Sequence, residues 1–133
     1  ANSISSLLFS VDYDETRLTV DRNDDGMLDA LQFRNDLSSS IIKAVTFDAD
    51  DTDGELDFTL ADFAASPQML PSGVLVEITF FVLPTATTPG EAALQFPLAS
   101  FGSLTGDVTG VTESGVITLL PPQRQLYLPL IRR

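Results

Sequence analysis

The twelve residues DRNDDGMLDALQ, Asp21 to Gln32, hold the oxygen donors whose spacing comes nearest to chemistry in this chain. Asp21, Asn23 and Asp25 alternate, Gly26 follows, and Asp29 lies three further on. Alternate positions let a tightly curled backbone aim successive side-chain oxygens inward, and glycine at the sixth position permits the sharp turn of a calcium loop. The predicted ligands of Ca2+ are Asp21, Asn23, Asp25, the Met27 carbonyl, and Asp29 directly or through water. The twelfth position is Gln32, not the bidentate Glu of an EF-hand, so a complete helix-loop-helix site is excluded. The alternative is a solvated acidic turn. Against it, Asp21, Asp24, Asp25 and Asp29 repel one another unless neutralised.

A second acidic cluster, Asp48, Asp50, Asp51, Asp53, Glu55 and Asp57, is less orderly. Placing Gly54 at the sixth loop position puts Ala49 at the first, where a carboxylate is required. Asp53-Gly54 between two apolar runs reads instead as the tip of a type I′ hairpin.

The rest of the composition removes most other chemistry. The 133 residues contain no Cys, no His and no Trp. That leaves no thiol, imidazole or His/Cys metal site, and paired carboxylates as the remaining catalytic option. The carboxylates fall in turns, with turn or metal spacing, so the chain is expected not to be an enzyme. A sugar-binding platform is disfavoured by the missing Trp, with Tyr13 and Tyr127 the only tyrosines. Seven basic against nineteen acidic side chains give a net charge of -12, which repels nucleic acid and anionic membranes. No apolar run reaches the length of about twenty residues that a membrane helix needs.

The elements that must position the acidic loop are strands. GVLVEITFFVL, Gly73 to Leu83, alternates with a period of two and is bounded by prolines, which predicts one long strand with Val74, Val76, Ile78, Phe80 and Val82 on one face. Further strands are expected at Leu7 to Tyr13, Arg17 to Val20, Ile41 to Phe47, Glu55 to Ala61, Ala92 to Leu98 and Gly115 to Leu120. A short one is expected near Asp107 to Thr109, and a helical turn at Phe33 to Leu37. Short strands with turn signals between them predict an all-β, two-sheet sandwich of about eight or nine strands.

The order LLFSVDYDETRLTV, AVTFDADDTDGELDFTLAD, LPSGVLVEITFFVL, AALQFPLASF and SGVITL resembles a cohesin-type domain. That resemblance implies a jelly-roll sandwich over residues 1–120, related in shape to carbohydrate-binding modules, and a non-catalytic, extracellular, protein-binding role. It also implies that the run Val74 to Val82 lies in a complete sheet between Arg17 to Val20 and Glu55 to Ala61. The Asp-rich loop is an insertion relative to the family, closer to a dockerin-like or thrombospondin-like calcium loop.

The resemblance starts at the family's second strand, so a first strand is expected to be lacking and a groove left in the opposite sheet. The tail 121–133 is set apart by Pro121-Pro122, and Leu126, Leu128 and Leu130 alternate there with Tyr127, Pro129 and Ile131. Leu126, Tyr127, Leu128, Leu130 and Ile131 are the expected partner-binding residues. They fill the groove in cis, or enter the next molecule by donor-strand exchange and build a filament. The remaining alternative is an upstream segment that supplies the strand. The ending LYLPLIRR resembles the terminal segments of secreted proteins, which implies a cell-surface location. A monomeric module that binds a separate dockerin-like protein, or carbohydrate, is the alternative function.

Overall fold

The computed structural model describes residues 4–47 and 54–121. Its organising strand is β1, Ser6–Tyr13, in which Leu7, Phe9, Val11 and Tyr13 turn one way and Ser6, Leu8, Ser10 and Asp12 the other. Along one edge β1 pairs antiparallel with β5, Glu55–Ala61, from Ser6 opposite Ala61 to Asp12 opposite Glu55. Its other edge is shared. Ser6 to Phe9 pair with β9, Ala99–Ser103, and Asp12 and Tyr13 with β8, Gly90–Gln95. The chain steps out of the ladder at Phe96-Pro97-Leu98, where Pro97 has no N–H to give. Ser10 nevertheless donates its N–H to the Leu98 carbonyl at 2.9 Å, so β8 and β9 act as one bent lane.

The large sheet is completed by β4, Ile42–Phe47, on β5, by β10, Gly106–Val108, on β9, and by β11, Gly115–Leu119, on β8. The antiparallel β4–β5 pair is a hairpin, but Phe47 opposite Leu56 is not the register of a two-residue type I′ turn at Asp53-Gly54, and Gly54 is buried beside β1 with its carbonyl accepting the Tyr13 N–H. The hairpin's tip, 48–53, lies outside the described residues. Gly54 itself adopts φ 61, and a Cβ there would collide with the Tyr13 carbonyl, so glycine is required.

The second layer is narrower. β2, Leu18–Thr19, pairs with β7, Phe81–Val82, and β3, Leu31–Phe33, pairs with β6, Val76–Ile78. Between the layers lie Leu18, Val20, Leu56 and Phe58, all at most 2% exposed, with Val76, Ile78 and Phe80 packed against them. The Phe58 ring stacks on Phe9 with centroids 4.7 Å apart and meets Phe33 edge-on at 6.3 Å. A second cluster, Leu37, Ile41, Leu60 and Leu70, closes one end. The architecture is an all-β jelly-roll sandwich with no helix among the described residues.

Four further expectations are corrected. The run Gly73 to Leu83 is not one strand: it divides into β6 and β7, and Val74 and Val82 are 63% and 53% exposed. Its neighbours are β2 and β3, not Glu55 to Ala61, which belongs to the large sheet. Among the described residues the sheet holding this run is therefore the incomplete one, and the opposite sheet is the fuller. Asn35 to Leu37 form a turn and bend in place of a helical turn, because Phe33 is drawn into β3.

Replacing Phe58 with Ala removes a ring that both layers share. We expect a loss of about 3–5 kcal/mol with an unchanged dependence on denaturant, read by urea unfolding.

Candidate functional site

The acidic loop is an extrusion from a strand ladder. Leu18 and Thr19 face Val82 and Phe81, and the ladder resumes with Leu31 facing Ile78. Eleven residues, 20–30, thus lie on one lane against two, Thr79 and Phe80, on the other. The base is stapled by the Asp29 N–H donating to the Val20 carbonyl at 3.0 Å and the Thr79 N–H to the Ala30 carbonyl at 2.9 Å. Inside the loop Asp21, 8% exposed, accepts the N–H of Asp25 at 3.1 Å and of Gly26 at 2.6 Å. Asp25 accepts the N–H of Met27 at 2.9 Å and the Asn23 amide at 3.1 Å. Asp29 folds back onto the Arg22 N–H. Asp24 and Gly26 sit at φ 58 and 83, the left-handed conformations that tighten the curl.

The structure thus brings Asp21, Asn23 and Asp25 into one hydrogen-bonded set, leaves the Met27 side chain exposed, and ties Asp29 to the loop's own start. Backbone N–H groups answer part of the carboxylate repulsion inferred from the sequence. Among the described residues no three acidic side chains converge on a point where they would hold a metal. The residues of the second cluster at 48, 50, 51 and 53 lie outside the described residues. Asp57, described, accepts the Ser10 hydroxyl on the outer face of the large sheet.

A second feature is an apolar slot between the layers, with a volume of about 420 Å³. Its floor is the inner face of β1, Leu7, Phe9 and Val11. Leu75, Val76 and Ile78 form one wall, and Leu94, Phe96 and Gly115 the other. An adjoining hollow of about 260 Å³ shares Leu7, Phe9 and Phe96 and continues to Phe101 and Val111. Both walls end in strand edges that have no partner among the described residues: β6 and β7 on one side, β11 on the other. Among the described residues Glu113 is the only charged one lining either hollow. Such a lining accepts apolar side chains and strand backbone, and it offers no acid–base pair. The expected partner-binding residues Leu126, Tyr127, Leu128, Leu130 and Ile131 lie outside the described residues.

Sequence reasoning missed Asp62. This buried carboxylate (4% exposed) accepts the Gln68 N–H at 2.9 Å, the Ser40 hydroxyl at 2.6 Å and the Ala64 N–H at 2.9 Å. It thereby locks the loop after β5 to the turn before β4. The usable signal was local, an Asp whose side chain meets the N–H two residues on.

With this geometry in view, the comparisons are consistent. No protein-family model and no curated protein matches the sequence. Solved structures do. The sixth cohesin of Acetivibrio cellulolyticus scaffoldin B, solved with a Cel5 dockerin, superposes with a TM-score of 0.69 at 20% identity, over 90% of this chain and 79% of that one. The seventh type I cohesin of Pseudobacteroides cellulosolvens ScaB gives 0.67 at 20% identity, over 94% and 78%. A type I cohesin from a Clostridium thermocellum cohesin–dockerin complex gives 0.66 at 16% identity, over 87% and 74%. The chain has the cohesin fold. Part of each cohesin has no counterpart in this chain.

Hydrogen bonds from Gln68, Ser40 and Ala64 hold the Asp62 carboxyl below its ordinary value of 3.8. A lowered folded pKa means a contribution present above pH 4 or so and lost as pH falls through the folded value. The stability gap between the native chain and Asp62→Asn is therefore expected to narrow on acidification, as measured by urea unfolding between neutral and acid pH.

Proposed function

We propose that this chain is a non-catalytic protein-binding module of an extracellular cell surface. On this reading copies of the chain join by strand exchange through the C-terminal tail. The observation that carries it is the apolar slot bounded by two strand edges without described partners. Buried backbone groups left unpaired cost on the order of 1–3 kcal/mol each, so a slot of this kind is stabilised by an added strand. An exchanged tail is a head-to-tail contact that does not close, and it propagates into a filament. The leucines at alternate positions in Gln125 to Ile131 suit the apolar lining.

A second reading is a monomeric module that binds a separate protein. Two of the cohesins of like fold were solved with a dockerin bound, and this favours it. The surface available is the outer face of the large sheet, where Leu8, Asp57, Thr59 and Ser100 lie on neighbouring strands. Light scattering and electron microscopy of the intact protein distinguish the two. A concentration-dependent polymer that is lost on deletion of residues 126–133 is expected; a strict monomer that still binds a partner overturns strand exchange.

Calcium belongs to the same proposal, as a stabiliser of the loop. Asp21, Asn23, Asp25, the Met27 carbonyl and Asp29 are the ligands, and the ion would neutralise carboxylates that now rely on N–H donors. Support comes from their spacing and from the lone pairs that the observed hydrogen bonds leave open. Titrating the metal-stripped protein with Ca2+ in a calorimeter should give heat and a raised melting temperature, both abolished by Asp25→Ala. No heat and no shift would remove the ion from the loop.

A further inference from the structure

The strand-addition reading says only that the slot takes a strand; the edge of β11 narrows which segment would fit and where it would pair. We infer that residues 125–131 lie antiparallel along the free edge of β11, with Leu126, Leu128 and Leu130 turned into the slot and Tyr127 turned out. The inference rests on strand addition in general, but not on the tail coming from another molecule.

Four observations converge on β11 over the opposite wall. β11 offers five consecutive ladder residues, Gly115–Leu119, whereas the edge of β6 and β7 is interrupted at Thr79 and Phe80. The tail leaves directly from β11, since Leu120 to Arg124 are all that separate Leu119 from Gln125. Within one chain a link of that length returns the tail antiparallel to the strand it has just left. Seven residues extend about 23 Å, enough to cover the roughly 17 Å of a five-residue strand.

Third, the faces agree. Ile117 and Leu119 belong to the inter-layer core, while Val116 and Thr118 are exposed on the other side. Residues directly opposite in an antiparallel pair share a face. The register that opposes Leu126 to Leu119 also opposes Leu128 to Ile117 and Leu130 to Gly115, so all three leucines face the slot. Gly115, at the slot's mouth, leaves room for a large side chain.

Fourth, the charges are complementary. Residues 121–133 carry Arg124, Arg132 and Arg133 and no acidic group, while residues 1–120 carry four Lys and Arg against all nineteen Asp and Glu. Glu113 stands at the rim of the slot. The exposed Leu120, 72% accessible, marks where the covering strand would begin its turn.

The test uses the full-length chain, which has no native cysteine to interfere. Thr118→Cys combined with Tyr127→Cys places two thiols on the outer face in this arrangement, and a short bis-maleimide spans both direct and diagonal neighbours. An efficient cross-link is expected. A link within one chain upholds the inference and overturns the filament; a link between chains upholds both. No cross-link, with both thiols reactive toward a monofunctional maleimide, overturns the inference. A second measurement stands apart from cross-linking. Leu128→Asp should lower the melting temperature by roughly 10 °C, as burial of a charge in a small domain does, and Tyr127→Asp should leave it within about 2 °C. Equal effects of the two, or unprotected amides at 126–131 in hydrogen exchange of the unaltered chain, would sink it.

Discussion

A strand buried in a sandwich must find partners for the N–H and C=O groups on both of its edges, and β1 is where this chain meets that demand in full. β5 runs along one side, and β9 and β8 share the other by stepping around Pro97. With both edges satisfied, β1 is free to bury Val11 and Tyr13 and to offer Phe9 to the Phe58 ring. The same demand is only half met across the core, where β6 and β7 bond β3 and β2 and nothing else among the described residues. The sandwich is therefore fuller on one layer than on the other, and the apolar slot lies between them, bounded by the edge of β6 and β7 on one side and that of β11 on the other.

The layer composition was legible in the sequence wherever one face of a strand is buried. Leu7 to Tyr13 and Glu55 to Ala61 were readable because a period of two reports the pleat. Neighbours were not readable in the same way. Alternation says which way Phe80 points, not whether β5 or β2 lies beside it, and the family resemblance supplied the wrong neighbour. The run Gly73 to Leu83 looked continuous because its own residues are. What divides it is the opposite lane, which carries eleven residues where it carries two. The acidic loop was found by its residue types, yet nothing in those types told that Asp21 spends its oxygens on the N–H groups of Asp25 and Gly26.

The acidic character of the chain has a consistent local answer. Asp14, Asp21, Asp25, Asp29 and Asp62 all accept backbone N–H groups, while Arg34 with Asp36 is the one side-chain ion pair among the described residues. Amide donors fix turns without a paired cation, and they are less screened by salt than distant surface charges. Arg17 follows the same habit from the other side, donating to the carbonyls of Thr88 and Glu91 and so tying β2 to the start of β8. Turn geometry and charge are thus solved together.

The stapled base of the acidic loop carries a consequence for how such a chain can change. Because Val20 and Asp29 close the extrusion and the ladder resumes on the far side, the core meets little of what lies between them beyond Leu28 and the buried Asp21. Residues 22–27 form a cassette. Sequences of other lengths and chemistries can be exchanged there while Leu18, Leu31 and Phe33 keep their places, so the loop can change its chemistry without the sandwich being refolded around it.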